Sequence, residues 1–269
     1  MLKKRLIFTL LYDSGDFVLS RNFRLQRVGD IKWLQKNYNF SQIAHYIDEL
    51  IVLDVSRKAR QPEQFCEVLK QLASGCFVPI SAGGGVRDLE HARALLRSGA
   101  DKVVINSALF DTPEFVAQLA QEYGQQCVVA SIDAKCDDTG MAWCWTQNGE
   151  IRQNTSLVQR WPQLLELPVG EIYLNSIDRD GTGQGYDMDL LRSLPQAMSK
   201  PVILAGGVGN AQHLAQGLHD NRVDAAATAH LFNFVGDGLA RARLQLVSQG
   251  FRLASWPSPD AVEFGVHLG

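Results

Sequence analysis

The chain has five cysteines, Cys66, Cys76, Cys127, Cys136 and Cys144. It has no C-x-x-C pair and no Cys/His cluster with zinc spacing, so neither a disulfide framework nor a structural metal is indicated, and the thiols read as reduced and mostly buried. No apolar run approaches the roughly 18 residues that a helical membrane span needs. Met1 to Tyr12 places charge before an apolar run, but that run is strand length. It leads into Asp13, Gly15 and Asp16 instead of a small-residue cleavage site, so it reads as a strand and a cytoplasmic location is expected. Charge of one sign is also missing. With 26 Lys and Arg against 29 Asp and Glu, the net charge is −3 and the pI is near 6.1, which excludes the basic face that nucleic acid or an anionic membrane would select. No metal or redox cofactor is implied, and small polar metabolites are the better candidate ligands.

What is present is a recurrent apolar pattern. Hydrophobic residues make up 46% of 269 positions, enough to bury a large core. Short, almost continuously apolar runs at 5–11, 49–55, 78–82, 102–106, 127–132, 171–176, 201–205 and 224–228 read as eight buried parallel strands. Between them lie segments with apolar residues at helical spacing, at 62–72, 89–97, 113–122, 188–194 and 211–219. Alternating β and α units of this number indicate an α/β fold, a (β/α)₈ TIM barrel over residues 1–253 followed by a tail at 254–269. Ala142 to Thr146, between Gly140 and Gly149, predicts a small hairpin over the top of the fifth strand.

The barrel is internally duplicated. Pro79 to Phe110 and Pro201 to Phe232 are near copies, in which Gly84, Gly85, Val86, His91 and Leu96 meet Gly206, Gly207, Val208, His213 and Leu218 at an offset of 122 residues. The same offset sets the strand that ends in Asp133 against the strand that ends in Leu11. One half carries an acid where the other carries leucine.

Ligands of such barrels sit at the C-terminal strand ends. Gly83-Gly84-Gly85 after the third strand and Gly206-Gly207 after the seventh can bring backbone N–H groups onto phosphate oxygens. Asn106-Ser107 adds an amide and a hydroxyl, whereas its counterpart, Thr228-Ala229-His230, is bulkier. Two such sites suit a ligand phosphorylated at both ends, with the second site altered. The loop Asn175 to Asp187 reads as a substrate-holding loop. Asp133 is a candidate general acid or base, and Asp54 could hold a ligand or brace a loop. At the opposite mouth Arg5, Glu49, Lys102 and Glu171 each precede a strand, and two positive and two negative charges balance. They read as a salt-bridge layer or as a gate on an axial channel.

These residues together resemble the cyclase subunit of imidazole glycerol phosphate synthase, the HisF family, over roughly residues 2–250. The resemblance is carried by Ser81 to Arg87, Gly99 to Ala108, Ser131 to Lys135, Asp178 to Thr182 and Gly185-Tyr186-Asp187. It implies a barrel that receives ammonia from a HisH-like glutaminase bound at its N-terminal face. It also implies a phosphorylated small molecule at the C-terminal face, no cofactor, and two catalytic aspartates. The family's gate falls on Arg5, Glu49, Lys102 and Glu171. Its phosphate contacts fall on Gly85, Asn106, Ser107, Asp180, Gly181 and Gly207, and a serine of the second site falls on His230. One catalytic aspartate falls on Asp133 and the other on Leu11, while a substrate-side lysine falls on Leu19.

Leucine transfers no proton, and a positioned acid or base contributes ~10²–10⁴ in rate, so ordinary cyclase activity is expected to be impaired. Asp13 could replace the acid only if the strand ran on past Tyr12. The pattern resembles a HisF-like subgroup of surface-polysaccharide (O-antigen) biosynthesis that works with a HisH-like glutaminase and a sugar amidotransferase. Two alternatives stand beside it: a true histidine-pathway cyclase, a lyase with shifted groups, and a non-catalytic subunit that activates its glutaminase.

Overall fold

The structure is a computed structural model that describes residues 3–38, 43–230 and 236–254. Eight parallel strands close on themselves: β1 (Arg5–Asp13), β4 (Glu49–Asp54), β5 (Ile80–Gly83), β6 (Lys102–Ile105), β7 (Val128–Cys136), β10 (Glu171–Ser176), β11 (Val202–Ala205) and β12 (Ala225–Thr228). Pairing of β12 with β1 and of β10 with β7 leaves no open edge in this ring, which removes the unpaired backbone that an edge strand would present. The eight-stranded (β/α)₈ barrel expected from the sequence is therefore the observed fold.

Alternation along the strands sorts the core into two layers. Even-numbered residues of the first strands, among them Leu6, Phe8, Leu10, Leu50 and Val52, point outward and pack beneath the helices. Those helices are α1 (Ile31–Asn37), α2 (Pro62–Gly75), α3 (Leu89–Arg97), α4 (Ala108–Asp111), α5 (Pro113–Tyr123), α6 (Leu157–Glu166), α7 (Met188–Arg192), α8 (Ala211–Leu218) and α9 (Gly238–Ser248). Ile7, Ile51, Val104, Val129, Tyr173 and Ile203 point inward and form a separate cluster that fills the barrel. The inner column is thus a packed plug with polar residues above and below it.

The duplication is visible in the local geometry. After β5, Gly84 and Gly85 turn through positive φ of 125° and 66°, and after β11, Gly206 and Gly207 do so at 90° and 105°, a region that only glycine enters without strain. Asp88 then caps α3 by accepting from His91 N, and Asn210 caps α8 by accepting from His213 N. The leading strands also match. β1 and β7 each run nine residues and overrun the barrel into antiparallel ribbons, β2 (Asp16–Arg21) with β3 (Arg24–Gly29), and β8 (Ala142–Thr146) with β9 (Ile151–Ser156).

The hairpin expected at 142–146 is present as β8. The β2–β3 hairpin and helices α1, α6 and α9 are further elements. Of the thiols, Cys66 and Cys144 are buried, while Cys76, Cys127 and Cys136 are half-buried, less secluded than their composition suggests. Most of the tail lies outside the described residues. Its start is tied down: Leu253 bridges to Lys4, and the buried Arg243 forks onto Asp48 at 2.9 and 3.0 Å and also donates to Ala254 O. No described helix is long and apolar enough to cross a membrane.

Candidate active-site cavity and the charged ring beneath it

The C-terminal ends of the strands enclose a cavity of about 910 Å³. The two hairpins roof it. Ser20 donates to Asp180 at 2.5 Å, Phe23 N donates to the same carboxylate at 3.1 Å, and Asn22 N donates to Asp180 O at 2.9 Å. Gly181 allows this approach, because a Cβ there would overlap Ser20 O. From the other side Gln147 N donates to Ser107 Oγ at 3.2 Å, and the tips of the hairpins meet where Phe23 lies over Gly149. A single sequence segment cannot display this roof, because its hydrogen bonds join residues about 155 positions apart, as in Asn22 Nδ2 to Ile177 O.

Asp133 stands at the cavity floor. Asn106 Nδ2 donates to one oxygen at 3.2 Å and Asn175 Nδ2 to the other at 3.0 Å. Burial pushes the carboxyl up to about 7; the Asn175 donor opposes the rise and the Asp180 charge adds to it. A carboxyl poised there can give or take a proton near neutrality. Asp180 is likewise raised by burial, with Ser20 and Phe23 N working the other way.

Leu11 and Leu19 line the same cavity. Leu11 pairs with Val18 and Leu53, so the end of β1 presents apolar groups where the end of β7 presents a carboxylate paired with Asn175. Asp13 does not repair this. It closes the β1–β2 turn opposite Asp16, accepts from Ser14 Oγ at 2.8 Å, and lines a shallower outer depression instead of the cavity.

The phosphate-type residues also border the cavity: Gly84, Gly85, Asn106 and Ser107 in one corner, and Asp180, Gly181, Gly206, Gly207, Thr228 and His230 in another. Burial lowers the pKa of His230, working against a charge on its ring. Asp54 is buried, accepts from Ser56 N at 2.9 Å, and lies 3.9 Å from Arg60 Nε. Arg60 was not singled out by sequence, because a lone arginine in a loop carries no periodic signal.

At the other end of the barrel the four charges form a closed ring. Arg5 contacts Glu49 at 3.0 Å and Glu171 at 2.6 Å, and Lys102 contacts Glu49 at 2.9 Å and also Glu171. Ser81 Oγ adds a donor to Glu49 at 2.5 Å. Although burial alone would make Glu171 harder to ionise, the two cations hold its pKa below the usual carboxylate range. At the offset of 122, Glu49 and Glu171 are repeat counterparts, while Arg5 and Lys102 meet Cys127 and Asp224. Both halves supply an acid and only the first supplies cations.

One further group, Cys136, Asp178 and Asp187, brings three possible ligand atoms within 4.8 Å. Its carboxylates already have structural work: Asp178 accepts from Cys136 N, and Asp187 caps α7 through Asp189 N and Leu190 N.

The family model of the histidine biosynthesis protein matches residues 24–236. A Parasynechococcus marenigrum (strain WH8102) protein, provisionally named imidazole glycerol phosphate synthase subunit hisF2, is 48% identical over 265 residues, covering 98% of each chain. The chain belongs to the HisF family. Of the two positions where the resemblance implied a catalytic aspartate, one carries Asp133 and the other Leu11, and both line the cavity.

Proposed function

We propose that this HisF-like chain is the synthase subunit of an imidazole glycerol phosphate synthase-type complex specialised for delivering ammonia to an acceptor, the product being an amidated sugar for surface polysaccharide. A HisH-type glutaminase docks at the N-terminal face in this reading, and ammonia enters through the ring of Arg5, Glu49, Lys102 and Glu171. Ammonia is small and uncharged, so crossing the apolar layer of Ile7, Ile51, Val129 and Ile203 above the ring costs it far less desolvation than it would cost an ion. A sugar amidotransferase then takes up the ammonia at the upper face.

The observation that carries this reading is the combination of a complete ring with an apolar β1 end. Leu11 faces the cavity beside Leu53, so ring closure lacks its second proton-transfer group. A true cyclase remains the second reading, supported by Asp133 near neutrality and by the glycine corners.

Co-purification with the candidate glutaminase, followed by an ammonia-transfer assay to sugar acceptors, tests the proposal. Glutamine-dependent amidination that is lost in Arg5→Ala, with glutaminase stimulation intact, is the expected result. Robust formation of imidazole glycerol phosphate from free ammonia and the phosphoribulosyl intermediate would instead establish the cyclase. Amidination unchanged by blocking the ring would leave only glutaminase activation.

A further inference from the structure

The two glycine corners of the cavity differ in charge. In the first, the side chain of Arg60 lies directly against Gly85: a Cβ at that glycine would stand 2.9 Å from Arg60 Nη1 and 3.0 Å from Cδ and Cζ. Gly85 holds a φ of 66°. The missing side chain therefore serves two purposes, the turn and the seat of the guanidinium. Arg60 Nε is buried and has no hydrogen-bond partner among the described residues; Asp54 Oδ2, at 3.9 Å, is close enough to pair in charge but too far to accept a hydrogen bond. An unused buried donor is costly unless something occupies it. Asn106, Ser107 and Arg87 border the same corner.

In the second corner, at Gly206-Gly207, the nearest arginine is Arg179, whose Cβ would lie 3.0 Å from a Cβ at Gly207 but whose guanidinium donates to Gln184 Oε1 on the exposed side and does not line the cavity. This corner offers Thr228 and His230, and Asp180, whose carboxylate repels an anion and is already engaged by Ser20 and Phe23 N. Arg57 is held by Phe23 O and Glu150. The remaining cavity-lining cations, Arg21 and Arg24, are exposed on the β2–β3 hairpin.

We propose that Arg60 is the specificity-determining residue of this cavity: it receives a dianionic phosphate ester at the Gly84–Gly85 corner and makes the site one-ended. A polar ligand with one phosphate, such as a sugar monophosphate, fills the site; a ligand phosphorylated at both ends gains little from its second phosphate. This rests on the reading of the cavity as a phosphorylated-ligand site and departs from the two-ended ligand that the duplicated glycine loops suggest. Arginine suits the role because its planar fork matches phosphate oxygens.

The test is calorimetric titration of the full chain with ribose 5-phosphate and with fructose 1,6-bisphosphate. The unmutated protein is expected to bind both, the bisphosphate within about three-fold of the monoester. Loss of one charge-assisted contact should weaken the monoester about ten-fold or more in Arg60→Gln, with Arg60→Lys recovering part of it. Arg60→Gln binding as tightly as the unmutated chain, or a bisphosphate preferred by more than about ten-fold, overturns the proposal. If the unmutated chain binds neither sugar phosphate, the reading of the cavity falls with it. Should Arg60→Gln unfold, phenylglyoxal modification of the unmutated protein decides: ribose 5-phosphate must protect Arg60, and unchanged modification overturns the assignment.

Discussion

The two half-barrels began as copies and now divide the work. At the top, the second half keeps Asp133 between the amides of Asn106 and Asn175, while the first ends in Leu11 beside Val18 and Leu53. At the bottom, each half contributes one acid, Glu49 or Glu171, but both cations, Arg5 and Lys102, come from the first half. The glycine corners diverge as well, one backed by Arg60 and the other by His230 and an aspartate. A duplication supplies geometry twice; chemistry need be retained only once, because both strand sets open onto a single cavity and a single axis.

The largest expected effect comes from reversing the top asymmetry. Leu11→Asp restores a carboxylate facing Asp133 across the cavity and should raise ring closure with free ammonia by about 10²-fold. Product formation from the phosphoribulosyl intermediate is the readout, and an unchanged rate means that more than the acid separates the halves.

The bottom acids come next. Glu49 accepts from Arg5, Lys102 and Ser81, whereas among the described residues Glu171 accepts from the two cations. Glu49→Ala should lower the unfolding free energy by about 3 kcal/mol and Glu171→Ala by about 2 kcal/mol, since each leaves two partly buried cations sharing a single carboxylate. Urea denaturation measures both, and equal losses would erase the distinction between the halves.

The pH dependence sharpens the difference between Leu11 and Asp133. The folded chain holds the Asp133 proton up to about 7, whereas an unfolded aspartate loses it near its ordinary value of about 3.9. The folded state therefore binds more protons in between, and this group makes stability fall as pH rises from about 4 to 7. Asp133→Asn should flatten that slope and stabilise the protein at pH 8 by about 2 kcal/mol, with solvent in the cavity reducing the full linkage value. A slope that persists in the variant assigns it to other groups.

The smallest effect concerns Asp13, which lies outside the cavity. Asp13→Asn should leave ligand affinity and unfolding free energy within about 0.5 kcal/mol of the parent. A marked loss of ring closure in the Leu11→Asp background would show that Asp13 does reach the reaction.

Much of the frame was legible along the chain. Continuous apolar runs locate buried parallel strands, and helical spacing from Leu89 to Arg97 coincides with α3. The β2–β3 hairpin was not legible. Phe17 and Val18 are buried while Arg24, Gln26 and Arg27 face solvent, so its alternation is diluted by polar residues that become ordered only on meeting Asp180. The same holds for Arg60, whose significance is its position against Gly85.

Sequence by itself determined the eight barrel strands and five of the helices, the duplication, the glycine turns and the identity of the charges, because these depend on local periodicity and on residue type. Tertiary structure decided which of them meet. Arg5 reaches Glu171 across 166 residues, Asn22 reaches Asp180, and Leu11 faces the cavity while Asp13 turns away. Those outcomes depend on closing the barrel and seating its hairpins, and nonlocal contacts of that kind leave no signature in any single stretch of chain.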